Sequence, residues 1–426
     1  MNVWLIEPID PLIARDGRPA AVGRFDTVRF PFPSMVAGAV RTRMGSPGGA
    51  FLVPRGALEE LKEKIPVQGP LLAELDAETG DVYQWLAPAP RDAAYVQEEG
   101  ETVTIRRLLP RPFEPGEAMD SFAEKGLLPV QGGMAPLSVL QELGGGAPLP
   151  ADGGAMGEGT GVRSSGGALT AKPPEKLPSF WSWSHYESWL TAPADSSGES
   201  PFTRGIAALP VEKRAHLAIR PDERVGMDGM LFQTAGLRFL QPGDGDHALT
   251  PRRFALSLRC QDATAAGRAL ALAPQIAPLG GERRLARWSP AADAWPRLPA
   301  AVRNSIVTRR RARLLLLTPA IFEHGTLPGW SGNPWPGSGA VRATVLAACV
   351  GRPEVVSGWD LAQGEAKHTR RMAAAGSVYF VALDGGDEAD LRAWCDQTWL
   401  ACVSDDPAER RDGFGLAALG TWEDAR

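Results

Sequence analysis

The sequence predicts an α+β fold of two ferredoxin-like (RRM-like) β-α-β-β-α-β domains with glycine-rich loops and a long insertion in the first. Three observations predict it. The second half of the chain alternates short apolar runs and helical spacings in that order. The first half repeats the order with longer connections. Both halves close on a glycine-rich turn that leads into an apolar segment: Pro278-Leu279-Gly280-Gly281-Glu282-Arg283-Arg284 in the first, DGFGLAALG at residues 412–420 in the second. The expected domains are residues 1–300, with a flexible insertion at about 45–205, and residues 301–426.

The elements of the first half follow in chain order. Residues 3–6 read as a strand closed by Pro8, and Pro33-Ser34 opens an apolar helix through Met35, Val36, Ala39 and Val40. Residues 216–219, 231–240 and 254–260 are strand candidates, 263–272 a helix, and 285–288 the last strand after the glycine turn. Within the insertion, residues 144–167 hold ten glycines and few apolar side chains, which predicts a flexible segment. The aromatic run at 180–189 is expected to pack inward, base stacking being the alternative for its rings.

In the second half, residues 313–318 (RLLLLT) bounded by Pro319 read as a buried strand. Residues 338–349 (SGAVRATVLAAC) read as a helix with Ser338 near its start, and 355–359 and 377–383 as strands. Residues 388–400 read as a helix carrying Leu391, Trp394, Cys395 and Trp399 at helical spacing, ahead of the glycine loop and last strand. One echo in wording joins the halves: AGAVRT in the first helix and SGAVRAT in the second.

Composition narrows the function classes. A chain of 426 residues exceeds what one hydrophobic core usually fills, and 48 glycines with 38 prolines predict long loops. Four cysteines without a CxxC pair form no disulfide framework and read as reduced core thiols; Cys395 and Cys402 are expected on one face of a helical stretch. The opening MNVWLIEPIDPLI lacks a basic leader, and no apolar run of membrane-spanning length occurs, so a soluble cytoplasmic protein is expected. A formal net charge of -5 argues against nucleic-acid binding over the whole surface. Any such site must be local. Basic clusters exist at Arg303, Arg309, Arg310, Arg311 and Arg313; at Arg283, Arg284 and Arg287; at Lys367, His368, Arg370 and Arg371; and, smaller, at Arg41 with Arg43 and Arg106 with Arg107.

Catalytic motifs are scarce. The GFGLAALG loop follows a helix and precedes a strand, the reverse of the order that presents a helix N-terminus to a pyrophosphate. No P-loop, H-E-x-x-H, G-x-S-x-G or zinc-type Cys/His spacing occurs, so no cofactor or metal is expected. Among five histidines, His216 beside a strand and His368 in a basic loop are the candidates for acid–base work on RNA.

Five segments carry a resemblance: EPIDPLIARDGRP with PFPSMVAGAVRT; HLAIRPDERVGMDGMLF; PLGGERRLARW; LLLLTPAIFEHGTLPGW; and SGWDLAQGEAKHTRRMAAAGSVYFV with GFGLAALG. Through them the chain resembles the RAMP superfamily of CRISPR proteins, most closely the third subunit of the Cmr (type III-B) effector complex, of the Cas5-like group. The resemblance lapses at about 45–205. It implies a non-catalytic, RNA-binding subunit of an antiviral-defence complex that grips the 5′ handle of the crRNA. The partners it implies are the large Cas10-like subunit and the backbone RAMP subunit, which performs target cleavage. A metal-independent RAMP endoribonuclease that processes precursor crRNA is the alternative. Under the first reading Ser34 and Arg41 hold phosphates near a helix start. Gly280, Gly281, Gly413 and Gly415 let the chain approach the sugar-phosphate closely. Arg283, Arg284, Lys367, His368, Arg370 and Arg371 supply charge.

Overall fold

The computed structural model describes residues 1–15, 24–25, 27–46, 53–54, 57–97, 102–110, 130–131, 174, 176–243, 251–265, 267–333, 339–360 and 363–422. The glycine-rich stretch at 144–167 and Ser338 lie outside these residues. The fold is mixed α/β, with antiparallel sheets and few helices.

The N-terminal half is built on strand β1 (Asn2–Pro8), helix α1 (Pro33–Met44) and strands β2 (Gln68–Leu75), β3 (Arg252–Cys260) and β4 (Leu285–Pro290). In space the order is β2-β3-β1-β4, every pair antiparallel. Strands Val82–Pro88, Phe180–Ser182 and Gly205–Ile206 extend the sheet beyond β2, and Gln275–Pro278 extends it beyond β4. Successive strand residues point to opposite faces, and here both faces are buried. Trp4, Ile6, Leu72, Phe254 and Leu256 pack with Val36 and Val40 of α1, whereas Leu5, Leu71, Ala73 and Ala255 join the core shared with the C-terminal half.

The C-terminal half uses β5 (Arg311–Leu316), β6 (Arg342–Cys349), β7 (Val378–Asp384), helix α2 (Glu388–Thr398) and β8 (Leu416–Gly420). Its order, β6-β7-β5-β8, again places second, third, first and fourth strands side by side, all antiparallel. A capping box starts α2: Asp387 accepts from the Asp390 backbone N–H, and the Asp390 carboxylate accepts from the Asp387 N–H. A hairpin, Glu354–Asp360 paired with Glu365–Met372, branches off between β6 and β7.

Four expectations need correction. Residues 342–349 form a strand, not a helix: burial alternates strictly from Arg342 to Cys349, and the strand pairs with β7 from Arg342↔Asp384 to Cys349↔Val378. Residues 263–272 hold a small hairpin, Ala263–Ala265 with Arg268–Leu270, because Gly267 turns the chain at φ +70° where a helix would require continuity. Among the described residues, α1 follows the first strand of the first half and α2 precedes the last strand of the second. The stretch from 45 to 205 is not wholly an insertion either, since β2, Val82–Pro88 and Phe180–Ser182 are members of the main sheet. Cys402 lies in the short strand Ala401–Cys402, so it shares no helix with Cys395. The aromatic run at 180–189 packs inward as expected: Trp181, Tyr186 and Trp189 are buried, with Tyr186 and Trp189 on helix Trp183–Thr191.

A buried ion pair joins the halves. Arg313 of β5 donates through Nη1 to Asp92, through Nε to the Thr421 carbonyl at 2.6 Å, and through Nη2 to the carbonyls of Trp189 and Leu190. The second Asp92 oxygen accepts from Trp189 Nε1 at 2.9 Å. Removing one partner of such a pair strands a charge in low dielectric. Asp92→Ala is therefore expected to destabilise the fold by about 3–5 kcal/mol, whereas Asp92→Leu combined with Arg313→Met recovers most of that loss. Thermal unfolding of the three proteins at one pH checks this, and equal midpoints for the single and double variants would refute it.

Candidate nucleic-acid groove

The glycine turn before β4 is the first wall of the site. Gly280 sits at φ +72°, and a Cβ there would lie 2.6 Å from the Ile13 carbonyl oxygen. The Gly281 N–H donates to that same carbonyl at 2.8 Å, so the turn is locked onto the segment that follows β1 and contains Ile13. Glu282 and Arg283 follow at φ +56° and +53°, a left-handed conformation costing roughly 1–2 kcal/mol for each non-glycine residue. Arg284 pairs with Glu282 at 3.1 Å, and Arg283 is left exposed.

Helix α1 is the second wall. Val36 and Val40 face the core, which turns Met35, Ala39, Thr42 and Arg43 toward the glycine turn. Trp359, on the branching hairpin of the C-terminal half, closes the far side. The walls enclose a groove of about 890 Å³ that also receives Ile13, Arg15, Pro278, Gly280, Gly281 and Glu282.

A network of carboxylates fixes that hairpin. Asp360, next to Trp359, takes Lys62 Nζ at 2.9 Å from helix Leu58–Lys64. Lys367 stands 3.9 Å from Asp412, and Arg370 pairs with the buried Glu409. Burial pulls the Arg370 guanidinium below its usual pKa, against the pull of Asp412 and Asp406 in the other direction. Asp412 also takes Arg41, whose other donors reach the Ile65 carbonyl at 3.1 Å and the Arg411 carbonyl at 2.9 Å.

The residues singled out from sequence thus fall into two groups. Gly280 and Gly281 border the groove, and Arg283 is exposed on the same turn, next to the groove residue Glu282; Ser34 lies in the first turn of α1, half-buried. Arg41 is buried with its donors taken up inside the chain, so it fixes α1 to the loop after residue 410 rather than facing solvent. Gly413 and Gly415 are buried too. A Cβ on Gly413, at φ +95°, would lie 2.5 Å from the Gly69 carbonyl oxygen, and one on Gly415 2.7 Å from the Ser404 nitrogen. Their close approach is to the protein's own backbone. Of the 367–371 cluster, His368 and Arg371 are exposed on a strand, while Lys367 and Arg370 serve the carboxylates. The Arg303–Arg313 cluster disperses: Arg303 pairs with Asp396, Arg310 caps the Gly385 and Gly386 carbonyls, and Arg313 is buried.

His216 Nε2 lies 2.8 Å from Thr234 Oγ1, and its ring stacks on Phe232 at 4.9 Å. Among the described residues no group of three or more His, Cys, Asp or Glu is placed to hold a metal ion, and no helix is long and apolar enough to cross a membrane. Sequence reading missed Trp359, Met35 and Arg15 as groove residues. The first was read only as the end of a strand at 355–359.

The family of CRISPR-associated proteins termed Cas_Cmr3 matches residues 4–422 of the chain. No curated protein matches it. Among the solved structures similar to it are two that each match over 89% of this chain and 86% of the other. One is a cryo-EM structure of the Type III-B Cmr-beta bound to cognate target RNA and AMPPnP, state 1, at 11% identity and TM-score 0.41. The second is a cryo-EM structure of the Type III-B Cmr-beta bound to cognate target RNA, at 12% identity and TM-score 0.38.

The carboxylate network makes a prediction. Glu409→Ala leaves Arg370 half-buried without its partner, a loss of about 1.5–3 kcal/mol for a charge-assisted hydrogen bond. Amide hydrogen exchange across residues 354–372 is then expected to quicken roughly tenfold or more, with β7 unchanged. Unaltered exchange in the hairpin would show that the carboxylates do not hold it.

Proposed function

Because this chain belongs to the Cas_Cmr3 family of CRISPR-associated proteins, the Cmr subunit of type III-B CRISPR-Cas complexes, we propose that it grips the 5′ handle of the crRNA in the groove between α1 and the glycine turn. The observation that carries this reading is the meeting of Arg15, Arg43 and the glycine turn around one open groove. Guanidinium groups hold phosphates in planar, bidentate fashion, and a turn without side chains at 280–281 lets a backbone pass close. Ser34 and the N-terminus of α1 add donors for an anion. Exposed Arg283, His368 and Arg371 extend the basic rim, with Arg284 and Lys367 beside it. Arg41, Gly413 and Gly415 act indirectly, by fixing the two halves against each other.

The same proposal assigns residues 1–300 and 301–426 to two ferredoxin-like domains, each of which has lost one of its helices. The matching strand orders of the two halves support it. In this reading the subunit has no catalytic residues; it docks on the large Cas10-like subunit and beside the backbone RAMP subunit, in the cytoplasm.

Titrating the full-length chain with an RNA of the handle sequence tests the site. Arg43→Ala with Arg283→Ala is expected to weaken binding by roughly tenfold. The slope of log affinity against log salt should shrink by about 1.4, since each single-strand phosphate contact contributes roughly 0.7. Arg303→Ala, at a cation already paired with Asp396, serves as the control and leaves both quantities unchanged. Handle binding that ignores the double change would place the RNA elsewhere.

A further inference from the structure

Trp359 is 60% exposed, whereas the other described tryptophans are buried or half-buried. Leaving so large an apolar ring in water forgoes about 1.5–3 kcal/mol of burial. Its exposure does not come from a loose loop. The neighbouring Asp360 is tied to Lys62, Ser357 Oγ donates to the Lys367 carbonyl at 2.9 Å, and Lys367 and Arg370 hold the returning strand to Asp412 and Glu409. These ties hold the strand that bears the ring, and the ring lines the groove.

The rest of the lining is mostly apolar: Ile13, Met35, Ala39 and Pro278 stand with the polar residues Arg15, Thr42, Arg43 and Glu282. A groove suited to phosphates alone would be polar throughout. An aromatic wall over an apolar floor with cations at the rim suits a flat, π-faced group joined to a phosphate. That description fits one unpaired nucleobase of a single strand. A paired base cannot leave its stack without an unpairing cost.

Resting on the groove as the RNA site, we infer that Trp359 is a stacking platform for a single splayed nucleobase, which lies between its indole and the Met35–Ala39 face of α1. The sugar-phosphate then runs toward Arg43 and the glycine turn. Recognition at this position comes from the π-face and is tolerant of base identity.

The test uses the full-length chain and handle RNAs carrying one abasic residue at each position in turn. Trp359→Ala is expected to weaken binding of intact RNA by roughly 5- to 150-fold, the range for one base–aromatic stack, and Trp359→Phe to keep most of the affinity. At one position, and there alone, the abasic substitution should weaken binding to the unaltered protein yet have no further effect on Trp359→Ala. Binding by Trp359→Ala within twofold of the unaltered protein would overturn the inference. So would abasic losses that add in full to the tryptophan loss at every position. If Trp359→Ala binds RNA normally but no longer assembles with the large subunit, the ring is a protein contact and the inference again fails. In each of these cases the Arg43 and Arg283 titration still decides the groove independently.

Discussion

The buried guanidinium of Arg313 is the constraint from which the arrangement of the two halves follows. A charge withdrawn from water is tolerated only when its donors are satisfied, and here they are satisfied by groups from three separate parts of the chain: Asp92, the end of helix Trp183–Thr191, and Thr421. The first strand of the C-terminal sheet is thereby pinned against the N-terminal half. Gly420 follows from the same requirement, because a Cβ there would stand 2.9 Å from Arg313 Nη2. With the inner face of the N-terminal sheet covered in this way, α1 need cover only the outer face. Between β3 and β4, where the described residues hold no α-helix, Leu5, Leu71 and Ala255 of the sheet pack into the shared apolar cluster.

A second junction uses the same chemistry at the other end of the molecule. Arg41 reaches from α1 to Asp412 and the Arg411 carbonyl, and Val67 N–H donates to that carbonyl as well, at 2.9 Å. Gly413 is compressed against Gly69 in the same place. The loop that most resembled a ligand-binding element by composition is thus a seam between the halves. It acts on the groove at one remove: the residue that orients α1 also shares its carboxylate with Lys367 of the hairpin that carries Trp359.

How much of this was legible depended on whether the signal was local. Strands β1, β5 and β7 and helix α2 could be read because each is a compact apolar run or an amphipathic period with its own end signal. The run at 342–349 could not: alanine, valine and leucine suit a buried helix and a buried strand alike, and only pairing with β7 decides. Strand β2 was hidden because QGPLLAEL opens on Gly-Pro, a turn signal, and the pairing that joins it to the centre of the sheet is with β3, some 180 residues away. The site divides the same way. Glycines and cations are visible in sequence, but whether an arginine faces solvent or a carboxylate is a tertiary fact, and Arg41, Arg313 and Arg370 all proved to face carboxylates.

That allocation of charge bears on how the groove works. With 50 acidic against 45 basic side chains, the chain spends several arginines and lysines on its own carboxylates, leaving few for an anion. A site that depended on counterion release would need many free cations. This groove is lined by two arginines, Arg15 and Arg43, with Glu282 beside them, and by an apolar interior faced by an indole. On the proposed reading, selectivity for single strands would arise from shape and stacking, with charge setting direction: the cations would orient the backbone, and the carboxylate-held hairpin would set where the aromatic face meets a base.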